Sequence, residues 1–205
     1  MTSSQSTWWQ GLERMLWTAG VAVGAWTMLV LVQNWYYARL PIPPATAAGA
    51  TRLPGEDTNG LSGLSTHGVE RGAWLARLEV PDVSLTATVL EGSDDHTLGR
   101  AAGHIETTPL PGEPGNIGIA GHRDTTFHAL RKVDVGDRVS LVTATRVFEY
   151  RVSQTWVVDP EDVHVLDPTP EAALTLVTCY PFNFLGKAPK RFIVRGELVS
   201  ERPRS

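Results

Sequence analysis

Two residue types in this chain can do nucleophilic and proton-transfer chemistry: a single cysteine, Cys179, and six histidines. A deprotonated thiol is a nucleophile, and an imidazole can take or give the proton that such an attack moves. Cys179 lies in the run Thr175-Leu176-Val177-Thr178-Cys179-Tyr180-Pro181. Ala173 to Val177 is apolar and β-branched enough for a buried strand, and Tyr180-Pro181 marks its stop. A cysteine at the exit of such a strand rests on rigid backbone while its sulfur can face a groove. The same residue also fits a small core hydrophobe, because free cysteine is among the most buried residue types.

A nucleophile needs partners. His122 follows the small strand Asn116 to Ala120 in Gly121-His122-Arg123-Asp124, so it too stands at a strand end. Two strand ends on one rim of a barrel can converge. His67 falls in a linker-like stretch, His164 in a loop beside acidic residues and His96 in a short helix, which makes them poorer candidates. Arg191 opens the last strand, and antiparallel pairing with the cysteine strand would set it beside Cys179. A guanidinium there suits holding negative charge on a carbonyl under attack. Without that pairing it is a solvated strand-end charge.

The elements that must position these residues begin near Gly72. Trp74 to Val80 and Val83 to Leu90 read as strands about the turn Pro81-Asp82. Asp94 to Ala102 reads as a short helix capped by Ser93. Asn116 to Ala120, Val139 to Thr143, Arg146 to Val158, the cysteine strand and Arg191 to Val199 are further strands. Short strands with little helix and no β–helix–β alternation point to a mainly β protein, a closed or nearly closed antiparallel-rich barrel over residues 71–200 with a tail at 201–205.

The segment before the barrel has a different composition. Met15 to Val32 carries no charged side chain and, as a helix, would extend roughly 27 Å, close to the thickness of a bilayer core. Trp8, Trp9, Trp35, Tyr36 and Tyr37 flank it, as aromatics do at membrane interfaces. The expectation is a short cytoplasmic N-terminus at 1–14, a transmembrane signal-anchor helix at 15–37 and a catalytic domain on the extracytoplasmic side. Ala45-Thr46-Ala47 has cleavage-site spacing but lies well beyond the apolar run. Residues 38–70 are rich in Pro, Ala, Gly, Ser and Thr and read as a flexible tether. The net charge of −4, with 42% hydrophobic and 20% charged residues, gives no reason to expect nucleic acid as a partner.

Thr175-Leu176-Val177-Thr178-Cys179 resembles the T-L-x-T-C signature of sortases, the cysteine transpeptidases of bacterial cell surfaces. The likeness extends from about Gly72 to Val199. Asn116 to Thr125 looks like the family's histidine strand. Cys179-Tyr180-Pro181-Phe182 followed by Ala188-Pro189-Lys190-Arg191-Phe192 is most similar to the cysteine–arginine segment of class D sortases. The resemblance implies an eight-stranded β-barrel with Cys179, His122 and Arg191 around a groove.

It also implies a two-step reaction on secreted proteins that bear an L-P-x-T-type sorting signal. Cys179 attacks the threonine carbonyl to form a thioester. An amine of a peptidoglycan precursor or a pilin lysine then accepts the acyl group. Water as the acceptor would instead make a surface cysteine peptidase. Thr178 is expected to help at the oxyanion through its N–H or its hydroxyl. His104, Asp124 and Tyr180 are groove candidates, with His104 expected either to pack or to line the groove and Asp124 to orient His122 or stabilise a turn. The acidic pairs Asp94-Asp95 and Glu161-Asp162 lack calcium-loop spacing, so neither metal nor other cofactor is expected.

Overall fold

The computed structural model describes residues 4–38, 66–184 and 186–204. It divides into two compact units, residues 1–36 and 37–205. The first holds helix α1, Ser4–Ala38. The helix forms over the expected segment, and every one of its side chains that is described is exposed. The spanning assignment is not borne out: among the described residues no helix is long and apolar enough to cross a membrane. Gly20, Gly24, Thr18, Thr27, Trp17 and Trp26 interrupt the aliphatic run.

Most of the expected tether lies outside the described residues. Its last residues do not behave as a tether. His67 Nε2 lies 2.9 Å from the Thr108 carbonyl, and Glu70 O accepts from Ala73 N–H at 3.0 Å. This segment is therefore fastened to the barrel before the first strand starts.

Eight strands close the barrel: β1 (Trp74–Val80), β2 (Leu85–Glu91), β3 (Ala102–His104), β4 (Asn116–Gly121), β5 (Arg138–Val142), β6 (Arg146–Val158), β7 (Ala173–Tyr180) and β8 (Lys190–Pro203). Their order around the barrel is β1-β2-β3-β4-β7-β8-β6-β5. Six pairings are antiparallel, and two, β2–β3 and β4–β7, are parallel. Closure leaves no long unpaired edge. Strand β3 is absent from the expected elements, which end a helix at its first residue, Ala102. The helix α2 is only Asp95–Leu98, and its cap is Asp94 rather than Ser93. Asp94 accepts from His96 N–H at 3.0 Å and from Thr97 N–H at 3.1 Å. The expected tail also joins the barrel, since β8 pairs through Pro203 with Arg146.

Alternation along the strands separates two faces. Ile117 and Ile119 of β4, Leu174 and Leu176 of β7 and Val194 of β8 fill the barrel with Leu78, Leu141, Phe127 and Tyr150. On the outer face Ile193, Val158 and Val165 form a second small cluster with Trp156, Leu166 and Val177. Val165 and Leu166 belong to a 3-10 turn, Val163–Leu166, in the β6–β7 connection. That connection straps across the outer face and gives it a wall.

Candidate active site

Register decides what meets what. Thr178 of β7 is the partner of Gly121 on β4, and Cys179 is the partner of Arg191 on β8. His122 and Cys179 each follow a member of one pair, Gly121 and Thr178. Thiol, imidazole and guanidinium residues thus fall in one transverse row on adjacent strands at one end of the barrel. All three are partly buried. Cys179 continues the outward row Thr175–Val177, on the face walled by the 3-10 turn. It is therefore not a core residue.

The histidine segment is held on several sides. Thr178 Oγ1 donates to Gly121 O at 2.7 Å, and Phe127 N–H donates to His122 O at 2.8 Å. Gly121 must lack a side chain, because a Cβ there would lie 2.7–2.9 Å from the Phe127 ring. Arg191 donates from Nη1 to Lys190 O at 3.0 Å and to Ala188 O at 3.5 Å. Its remaining guanidinium nitrogens have no partner among the described residues. That leaves unpartnered donors on the residue paired with Cys179.

Below this row the outer face closes. A Cβ on Gly118 would lie 2.9 Å from Leu166 Cδ2 and 3.1 Å from both Ile105 Cδ1 and Thr108 Cγ2. The β3–β4 connection and the 3-10 strap therefore meet over Gly118. The strap is pinned from beneath by Asn116, which is fully buried. Asn116 Nδ2 donates to Val165 O at 3.1 Å and Asp167 O at 3.2 Å, and its Oδ1 accepts from Thr175 Oγ1 at 2.6 Å. Arg195 adds a 2.7 Å bond from Nη2 to Val165 O and lies 5.8 Å over the Trp156 ring. Burial lowers the pKa of the Arg195 guanidinium.

Several expected site residues take other places. His104 does not line an open groove: it is fully buried, with Nδ1 2.7 Å from Glu91 Oε2 and Nε2 3.0 Å from Pro109 O. Both ring nitrogens face acceptors, so the packing alternative is the one realised. The hydroxyl of Thr178 is committed to Gly121 O on the inner face and cannot reach a substrate. Asp124 is exposed in the turn after His122. Tyr180 joins an aromatic cluster, 6.3 Å from the Phe192 ring centroid and 6.1 Å from that of Phe182.

A sortase-domain family model matches residues 78–199. This chain belongs to the sortase family. Sortases are cysteine transpeptidases that typically work at the cell surface, and this protein, with its single cysteine, is one of those enzymes. It is 35% identical over 132 residues to sortase D of Bacillus subtilis, covering 64% of this chain and 67% of that protein. Sortase E1 of Streptomyces coelicolor is 29% identical over 204 residues, 90% of this chain and 56% of that protein. Among solved structures, a sortase D5 transpeptidase of Clostridium perfringens superposes with TM-score 0.58 at 30% identity, over 65% of this chain and 84% of that one. The expected eight-stranded sortase barrel is the observed fold.

Sequence reading passed over Asn116, Arg123 and Arg195. Their types carry a signal only once the topology places them under the strap or beside the loop they hold.

Proposed function

We propose that Cys179, His122 and Arg191 carry out acyl transfer from an L-P-x-T-type sorting signal to an amine. The observation that supports this most is the register of β4, β7 and β8, in which Cys179 pairs with Arg191 and the residue before Cys179 pairs with the residue before His122. The Cys179 sulfur, as thiolate, attacks the threonine carbonyl carbon. Arg191 donors hold the negative charge on the oxygen. The amide C–N bond breaks as the His122 imidazolium gives its proton to the leaving nitrogen, and a thioester remains on Cys179. An incoming amine then attacks the thioester. His122 takes the amine's proton, and the thiolate departs.

Thr178 acts here through its bond to Gly121 O, fixing the strand that presents His122. The exposed aliphatic side chains of α1 support association of that helix with a lipid bilayer, with the barrel on the extracytoplasmic side. Carbonate extraction of membranes distinguishes a spanning helix from one lying at the surface.

The acceptor is an amine from the wall precursor or a pilin lysine. Full-length protein incubated with a library of sorting peptides and a primary amine should yield an acyl group on Cys179, detected by mass spectrometry, and an amine-linked product. Exclusively hydrolysed product in the presence of amine would make the protein a peptidase instead. Acylation at no position would end the proposal.

A further inference from the structure

Between Cys179 and Arg191 the chain makes a loop from Pro181 to Pro189, and the side chain that holds it comes from another part of the barrel. Arg123, the residue after His122, donates from Nη1 to Pro181 O at 3.1 Å. Its Nη2 donates to Phe184 O at 2.7 Å and to Gly186 O at 2.9 Å. The guanidinium also lies 5.9 Å from the Phe184 ring centroid. Three carbonyls from one loop converge on one planar fork. A lysine ammonium lacks this geometry, because its three donors radiate from a single point.

The loop in turn directs Arg191. Arg191 Nη1 bonds to Lys190 O, at the start of β8, at 3.0 Å and to Ala188 O, near the end of that same loop, at 3.5 Å. Meanwhile Arg123 is covalently next to His122, and the His122 carbonyl is held by Phe127 N–H. A displacement of the loop therefore moves the guanidinium at 191 relative to the imidazole at 122, while Cys179 stays fixed in β7. Proton transfer and oxyanion contact must be aligned within a fraction of an ångström, and misplacement of about 1 Å can cost roughly a hundredfold in rate.

We propose that Arg123 is a positioning residue for acyl transfer: its guanidinium ties the Pro181–Pro189 loop to the His122 segment and so sets the distance between His122 and Arg191. This rests on the reading of Cys179, His122 and Arg191 as the reacting set. Arg123 itself touches no reacting atom.

The test compares full-length Arg123→Ala, Arg123→Lys and Cys179→Ala proteins with the parent. Three quantities are read: kcat and KM for peptide-to-amine transfer, the rate of Cys179 alkylation by iodoacetamide, and amide hydrogen exchange at residues 186–190. Arg123→Ala should lower kcat about tenfold to a hundredfold with a smaller change in KM. Alkylation should proceed near the parent rate and exchange at 186–190 should rise. Arg123→Lys should recover less than half of the lost rate, because it cannot gather three carbonyls.

A kcat within twofold of the parent in Arg123→Ala overturns the proposal. So does a parallel fall in alkylation and transfer, which would make Arg123 a support of the whole site and not of one distance. Full recovery by lysine overturns the role of the fork. Cys179→Ala separates this from the underlying reading: retained acyl transfer in that variant removes the reacting set, whereas the exchange data still report whether Arg123 holds the loop.

Discussion

Arg191 and Arg195 lie on the same strand, four residues apart, with side chains on the same face. Each stands beside a residue of β7, Cys179 in one case and Thr175 in the other. Their surroundings differ. Arg195 lies under the 3-10 strap, bonded to Val165 O, stacked on Trp156 and desolvated enough to lower its pKa. Arg191 lies at the open end of the face, with one nitrogen on the carbonyls of Ala188 and Lys190 and the others with no partner among the described residues. A polar residue at the covered end of this face is committed to holding the wall. The same type at the open end has donors with no partner among the described residues. Position along the strand, and not residue type, sets how far each guanidinium is committed to the protein.

That contrast can be broken most sharply at the row of three. Cys179→Ala should abolish transfer, a loss on the order of a thousandfold or more, with the urea midpoint nearly unchanged because the thiol is not a core group. Arg191→Ala should lower kcat about a hundredfold, again with little change in midpoint. Measured acyl transfer at the parental rate in that variant would return Arg191 to a solvated strand-end charge.

The covered end should respond in the opposite way. Asn116→Ala leaves the Thr175 hydroxyl and the Asp167 carbonyl without their side-chain partner, while Val165 O keeps its bond from Arg195. It should cost about 2 kcal/mol in urea unfolding, and transfer should fall only as far as the strap loosens. Arg195→Met should cost about 1 kcal/mol and leave kcat within a few-fold. A reversal, with Arg195 dominating kcat and Arg191 dominating stability, would show that the two rows had been read upside down.

The smallest effect is expected far from both. Burial raises the pKa of Asp94, but the hydrogen bonds from Thr97 and His96 more than offset this and hold its carboxyl below the ordinary carboxylate range. Because the folded form has the lower pKa, its stabilisation is fully present above the ordinary carboxylate value. It is lost as pH falls through the depressed one. Asp94→Ala should cost about 1 kcal/mol at neutral pH, and the difference from the parent should shrink in acid. Unfolding curves at neutral and acid pH check the sign.

The readable part of the chain was the part whose periodicity is local. β1, β6 and the cysteine strand follow from alternation and β-branched runs, and β3 did not, because three residues, Ala102–His104, are too few to show a period. The cap of α2 was misplaced by one residue, since Ser93 and Asp94 are both good caps and only the bonds distinguish them. Antiparallel pairing of β7 with β8 was expected from their closeness in sequence. The parallel β4–β7 pair was not, because its strands are joined through β5, β6 and the strap, and no local pattern encodes such a partner. Yet that pair brings Gly121-His122 alongside Thr178-Cys179.

His104 shows the same limit from the other side. It was expected either to pack or to line the groove, and the carboxylate of Glu91 that engages it lies on a different strand. The sequence by itself determined the nucleophile, the barrel class and the family, because residue type, alternation and a five-residue signature are properties of neighbouring residues. Tertiary structure alone decided that His104 is buried against Glu91, which threonine hydroxyl is committed to a backbone carbonyl, and which polar groups hold the wall. Those outcomes depend on register between strands remote in the chain and on burial, and neither is a function of local sequence.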